Sequence, residues 1–185
     1  MSRRTTKPNQ SSEEVEARHY IGIDNGVSGT IGIISISKVN VKTQFHLTPI
    51  FKTQDYTKKK KNINRIHYQN LLQMMYPCVR RLENTFAMIE APLVNPGKFN
   101  ATASALRAFE ATLIALESLQ IGYKTVSAAD WRKELLPSGV VGSAEQKKAS
   151  ASVGRKLFPK HRELIEKHGD ADGLLIAEYC KKMQR

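Results

Sequence analysis

Residues 20–37 read YIGIDNGVSGTIGIISIS. Tyr20–Asp24 is a short, apolar, isoleucine-bearing run and predicts a buried strand. Asn25, Gly26, Ser28 and Gly29 are turn formers. Thr30–Ser37, rich in isoleucine, predicts the returning strand. A third strand is expected around Thr43–Phe51, so the folded part opens on an antiparallel meander.

Beyond it, Asp55–Asn64 reads as a lysine-rich connection holding Lys58, Lys59, Lys60 and Lys61. Ile66–Leu82 carries apolar residues at helical spacing (Ile66, Leu71, Met74 or Met75, Cys78, Leu82), and Pro77 should kink or split that helix. Phe86–Glu90 predicts another buried strand, closed by Ala91-Pro92. Asn100–Gln120 is expected to be a long helix whose apolar stripe is Leu106, Phe109, Leu113 and Leu116, read as core with a dimer face as the alternative. Tyr123–Val126 predicts a short strand. Ser127 or Asp130 can cap a brief helix to Leu136. A basic helix follows over Ser143–Phe158, and the last runs from about Asp170 to Lys182. Three strands, a helix, a strand, a helix, a strand and then helices make a mixed α/β domain.

The expected organisation is a flexible polar tail over residues 1–18 and one folded domain over 19–185. The tail is too poor in bulky apolar side chains to offset the entropy of ordering. The chain has 185 residues, is 41% hydrophobic and carries a formal net charge of +12. Such a surplus points to a polyanionic partner. Cys78 and Cys180 have no metal-ligand spacing and are too few for a disulfide framework. No apolar run suits a membrane span, and the N-terminus lacks a signal-peptide core. The expected setting is therefore not secreted: the cytoplasm, or the interior of an organelle or a phage-infected cell.

Three acids stand where chemistry could use them. Asp24 ends the first strand, Glu90 ends the fourth, and Asp172 lies early in the final helix. Taken singly, these are a turn former, a solvated strand edge and a helix cap. Ligand sites of open α/β sheets collect beyond strand ends, and carboxylates gathered there repel unless a cation lies between them. Hard oxygen ligands suit Mg²⁺ or Mn²⁺. A fourth ligand is expected nearby. If the last helix extends back far enough, His168 and Asp172 share a face at i and i+4, while Asp170 lies about 200° away from each. That spacing favours His168 as ligand and Asp170 as cap; a later helix start would let Asp170 into the site.

These residues carry a resemblance. IGIDNGVSGTIGI (21–33), MIEAP (88–92) and HGDADGLLIAEY (168–179) resemble the three acidic motifs of RuvC-type Holliday junction resolvases, in their phage, bacterial and chloroplast branch. YKTVSAADWRKELLP (123–137) resembles the family's strand and Trp-containing helix, and EQKKASASVGRKLFP (145–159) its lysine-led helix ending in Phe-Pro. The resemblance covers about Tyr20–Tyr179. It implies a ribonuclease H-like fold, a homodimer, and Mg²⁺ or Mn²⁺, two ions per site. It also implies paired symmetric nicks in a four-way DNA junction, with water activated on one ion and the leaving 3′ oxygen stabilised by the other. Asp24, Glu90 and Asp172 match three of the family's ligands, and His168 stands where a fourth, Asp or His, is usual. Lys147 matches a lysine expected to meet DNA phosphate.

Further DNA contacts are expected from Lys58–Lys61, from Lys98 and Phe99 in the loop after Glu90, and from Lys148 beside Lys147. A lysine run is otherwise a solvated loop, and a Phe is otherwise core. The alternatives are a general ribonuclease H-like nuclease on RNA or other branched DNA, and a non-catalytic DNA-binding module. GIDNGVSGT also resembles the first phosphate loop of actin-like phosphotransferases, but those need two related domains, and this length holds one.

Overall fold

The computed structural model describes residues 17–56, 58–80 and 82–184. Its strands are β1 (Arg18–Ile23), β2 (Thr30–Ile36), β3 (Val41–Leu47), β4 (Ile50–Gln54), β5 (Asn62–Ile66), β6 (Thr85–Glu90) and β7 (Gly122–Val126). Its helices are α1 (Tyr68–Met75), α2 (Phe99–Ser118), α3 (Ala128–Leu135), α4 (Ser143–Leu157), α5 (Arg162–His168) and α6 (Asp172–Met183). The expected tail falls outside the described residues except at its end, where Ala17 is buried and Arg18 opens β1.

The main sheet has the order β3-β2-β1-β6-β7. The meander β1-β2-β3 is antiparallel, whereas β6 pairs parallel to β1 and β7 parallel to β6. The expected mixed α/β architecture is therefore what the chain adopts. Side chains alternate across the sheet with period two. Ile21, Ile23, Ile31, Ile33, Ala87 and Ile89 face a core closed by α1 and α2. Tyr20, Ile34, Phe45, Met88 and Val126 face the other core, with Trp131, Phe158, Ile165 and the apolar residues of α6.

The helix on that second face lies flush with the backbone because glycines leave room for it. Gly22 and Gly32 are opposite each other in the β1–β2 register. A Cβ on Gly22 would lie 2.0 Å from the Ala177 nitrogen, and one on Gly32 would lie 2.5 Å from Leu174 Cα. The start of α6 is pinned as well, since the Gly173 N–H donates to Thr30 Oγ1 at 2.9 Å.

Three expectations need correction. The strand predicted over Thr43–Phe51 is two strands. β3 ends at Leu47, and Pro49, which has no N–H to give a ladder, separates it from β4. β4 leaves the main sheet to pair antiparallel with β5, so the lysine-rich connection is the tip of a hairpin. The tip is closed by the Asp55 N–H donating to the Lys61 carbonyl at 2.8 Å and the Lys61 N–H donating to Asp55 Oδ1 at 3.1 Å. The helix predicted from Ile66 starts at Tyr68, with Ile66 in β5, and gives way at Tyr76–Arg80 to a 3₁₀ turn containing Pro77. Finally, α2 turns in most of the predicted stripe but not its first residue: Leu116 is buried, and Phe109 and Leu113 are partly buried against the same core. Its buried residues are Ala108, Thr112, Ala115 and Leu116, while Leu106 is 43% exposed. Small side chains at Ala108, Thr112 and Ala115 share the inner face with Leu116, and Leu106 falls outside it.

Candidate metal centre

Asp24 and Glu90 follow directly from the sheet register. Ile23 pairs with Ile89 on adjacent parallel strands, and both point to the α1–α2 core. The next residue on each strand, Asp24 and Glu90, therefore turns to the opposite face, where α6 lies. Asp172 is the first residue of α6, carried to the same sheet end by the glycine contacts. Among the described residues, Asp24, Glu90 and Asp172 each offer a carboxylate oxygen, and these atoms lie within 4.8 Å of one another.

The neighbours of this trio fix its orientation. The Trp131 Nε1–H donates to Glu90 Oε2 at 2.7 Å, and Trp131 is fully buried. Ser150 Oγ donates to Asp172 Oδ1 and accepts from the Ala171 N–H at 3.0 Å. Arg132 donates through NH2 to Asp172 Oδ2 at 3.4 Å and lies 3.8 Å from Glu90 Oε2. Its NH1 donates to Gln146 Oε1 at 3.2 Å. Two helices thus supply the supports: α3, capped by Ser127 accepting from the Asp130 N–H, and α4.

Burial and crowding act on all three acids. Asp24 is held well above the ordinary carboxyl value, first by loss of solvent and then by Asp172, Glu90 and Asp170. Glu90 is raised by loss of solvent, against the opposing hydrogen bond from Trp131 and the charge of Arg132. Asp172 is raised by loss of solvent, opposed first by Ser150 and raised further by Asp170. Acids that favour protonation without a cation are the converse of acids that favour ionisation with one. Three hard oxygen donors this close suit Mg²⁺ or Mn²⁺.

The fourth position differs from the single-helix geometry. α5 ends at His168, Gly169 takes a left-handed φ of 98°, and α6 begins at Asp172. His168 and Asp172 therefore belong to two helices and share no face at i and i+4. Asp170 lies in the connection, 2% exposed. Its Oδ1 is 3.4 Å from His168 Nε2, and its Oδ2 is 3.2 Å from Lys147 Nζ. Lys147 thus stands beside the acids, whereas Lys148 pairs with Glu145 at 2.9 Å on the outer surface of α4. Lys98 ends an exposed turn and Phe99, opening α2, is 76% exposed, so it is not a core residue. Lys58–Lys61 lie at the tip of the β4–β5 hairpin.

Sequence reasoning missed the supports. Trp131 and Ser150 sit in segments read as helices and matched by the resemblance, but no spacing rule ties them to Glu90 or Asp172. Arg132 is one of 29 lysines and arginines, and only the packing of α3 singles it out.

No protein-family model matches the chain, and no curated protein sequence matches it significantly. Solved structures do match. Thermus thermophilus RuvC in complex with a Holliday junction substrate aligns with a TM-score of 0.50 and 12% identity, over 90% of this chain and 96% of that one. A second Thermus thermophilus RuvC structure aligns with a TM-score of 0.45 and 13% identity, over 88% and 95% respectively. At such identity the likeness speaks to architecture, and the chain has the ribonuclease H-like fold seen in the first of these RuvC structures.

Proposed function

We propose that this protein is a metal-dependent endonuclease that resolves four-way DNA junctions by paired symmetric nicks. The observation that carries the reading is the convergence of Asp24, Glu90 and Asp172 at one sheet end, in a chain with a net charge of +12. The structural neighbour held with a Holliday junction supports the choice of substrate.

In this reading Asp24, Glu90 and Asp172 hold Mg²⁺ or Mn²⁺, two ions when fully loaded, and Asp170 supplies the fourth carboxylate with His168 behind it as its partner. The ions when bound supply an activated water and charge stabilisation for phosphodiester hydrolysis. The chain's residues do the rest. Trp131 and Ser150 hold Glu90 and Asp172 in position, which preserves ligand geometry before loading. Lys147 meets substrate phosphate beside the acids. Lys58–Lys61, Lys98 and Lys148 extend the phosphate-binding surface, and Phe99 stacks on a base near the cut. Two symmetric cuts call for a homodimer. Leu106 and Ile114, each more than 40% exposed on α2, are the apolar surface that a second copy would cover.

The test is a substrate panel in Mg²⁺: a four-way junction, a matched duplex, and an RNA–DNA hybrid of the same sequence, with the parent protein and Asp24→Asn. Preferential junction cleavage by the parent and retained junction binding without cleavage by the variant are expected. Equal rates on all three substrates favour a general ribonuclease H-like nuclease, and cleavage by Asp24→Asn refutes the metal-site assignment.

A further inference from the structure

The metal-free acid cluster has an internal counter-charge. Asp172 Oδ1 is engaged by Ser150, and Oδ2 accepts from Arg132 NH2 at 3.4 Å. Glu90 Oε2 already accepts from Trp131 and lies 3.8 Å from the same NH2. One guanidinium nitrogen therefore bridges two of the three carboxylates. Its side chain is 26% exposed, at the rim of the cluster.

Arg132 is also held by groups other than the acids. NH1 donates to Gln146 Oε1 on α4 at 3.2 Å, and the guanidinium lies 5.0 Å from the centre of the Trp131 ring. These contacts give it a place to stay when its grip on the carboxylates is broken. The guanidinium and a divalent ion seek the same oxygens and repel each other, so both cannot hold them at full strength.

We propose that Arg132 is a resident cation that bridges Glu90 and Asp172 in the metal-free protein and gives way when a divalent ion enters. This rests on the reading of the acids as metal ligands. Arg132 lowers metal affinity while stabilising the empty site, so the site fills only when the ion offers more than the guanidinium does. The balance is a linkage: whatever draws Arg132 off the acids tightens the metal, and the reverse.

The experiment titrates the full-length protein with Mn²⁺ alone, by calorimetry and by quenching of Trp131, the only tryptophan, alongside melting of the metal-free protein. Arg132→Gln removes the charge, Arg132→Met removes it while keeping the stem over Trp131, and Arg132→Lys keeps it. The two neutral variants are expected to bind Mn²⁺ roughly fivefold or more tighter and to melt lower when metal-free. The Lys variant should stay near the parent. Neutral variants that bind Mn²⁺ as the parent does, or more weakly, overturn the proposal, as does a Lys variant that behaves like them. Absence of Mn²⁺ binding by parent and variants alike overturns the metal-site reading itself and this proposal with it.

Discussion

Gly22→Ala adds one carbon on the helix-facing side of β1 without altering any candidate ligand, and it tests how the site is assembled. The added Cβ would stand 2.0 Å from the Ala177 nitrogen, 2.3 Å from the Gly173 carbonyl oxygen and 2.6 Å from the Ile176 carbonyl carbon. Ordinary contact begins at 3.4 Å, so α6 must retreat by more than 1 Å from the sheet, roughly the scale at which misplacement damages a site. All three clashing atoms are backbone, and no rotamer change relieves them. Overpacking of this kind costs about 2–3 kcal/mol, a fall of roughly 5–10 °C in Tm for a domain of this size. Because Asp172 opens α6 while Asp24 and Glu90 stay on the sheet, the retreat also separates ligands now within 4.8 Å. Mn²⁺ affinity should drop about tenfold or more. Thermal melting and Mn²⁺ calorimetry read the two effects together. A Gly22→Ala protein that melts within about 1 °C of the parent and binds Mn²⁺ equally well would refute the claim that close helix–sheet approach positions Asp172.

Ser150→Ala leaves Asp172 Oδ1 and the Ala171 N–H without their partner, and should lower stability by about 1–3 kcal/mol in denaturant melts; an unchanged midpoint contradicts the role given to Ser150. Asp170→Asn should weaken Mn²⁺ binding more than His168→Ala, because Asp170 lies beside the trio and His168 behind it; the reverse ranking in calorimetry returns the fourth ligand to His168. Native carboxyls raised above 3.8 and 4.5 bind protons that the unfolded chain has released. The acids' contribution to metal-free stability is therefore most favourable below those ordinary values and is lost as pH rises through the raised native ones. Mg²⁺ needs the ionised ligands, so the rise in Tm that it gives should grow with pH, and an increment that stays flat between about pH 5 and pH 8 counts against the site. Replacing Lys58–Lys61 with alanine should make the slope of log affinity for junction DNA against log salt shallower by about 0.9 for each phosphate that the tip neutralises; an unchanged slope removes the hairpin tip from the DNA surface.

The mixed sheet was legible because its evidence is periodic. Isoleucines at 21, 23, 31 and 33 alternate with Gly22 and Gly32, and the strand ends set Asp24 and Glu90 on one face. The β4–β5 hairpin was not legible, since IFKTQ and NINRI are half polar and the lysines between them read as a loop. The core face of α2 was legible at Phe109, Leu113 and Leu116 but overextended to Leu106, because alanine and threonine, which give no hydrophobic signal, carry part of its contacts. The fourth site position turned on one glycine: Gly169, in a left-handed conformation, ends one helix before Asp172 starts the next, and i, i+4 geometry does not cross that break. Arg132, Trp131 and Ser150 reach the acids through packing of α3 and α4 on the sheet, a relation that no local spacing encodes.

The β4–β5 hairpin divides the molecule's tasks. β5 enters the α1–α2 core through Ile66, on the side of the sheet opposite the acids, and the last register pair before the tip is Gln54 with Asn62. The lysines beyond that pair contribute nothing to either hydrophobic core. Length and charge at the tip are thus free to vary without moving a carboxylate of the acidic trio, so that under the proposed function the scaffold would exchange its grip on a nucleic acid while conserving its chemistry.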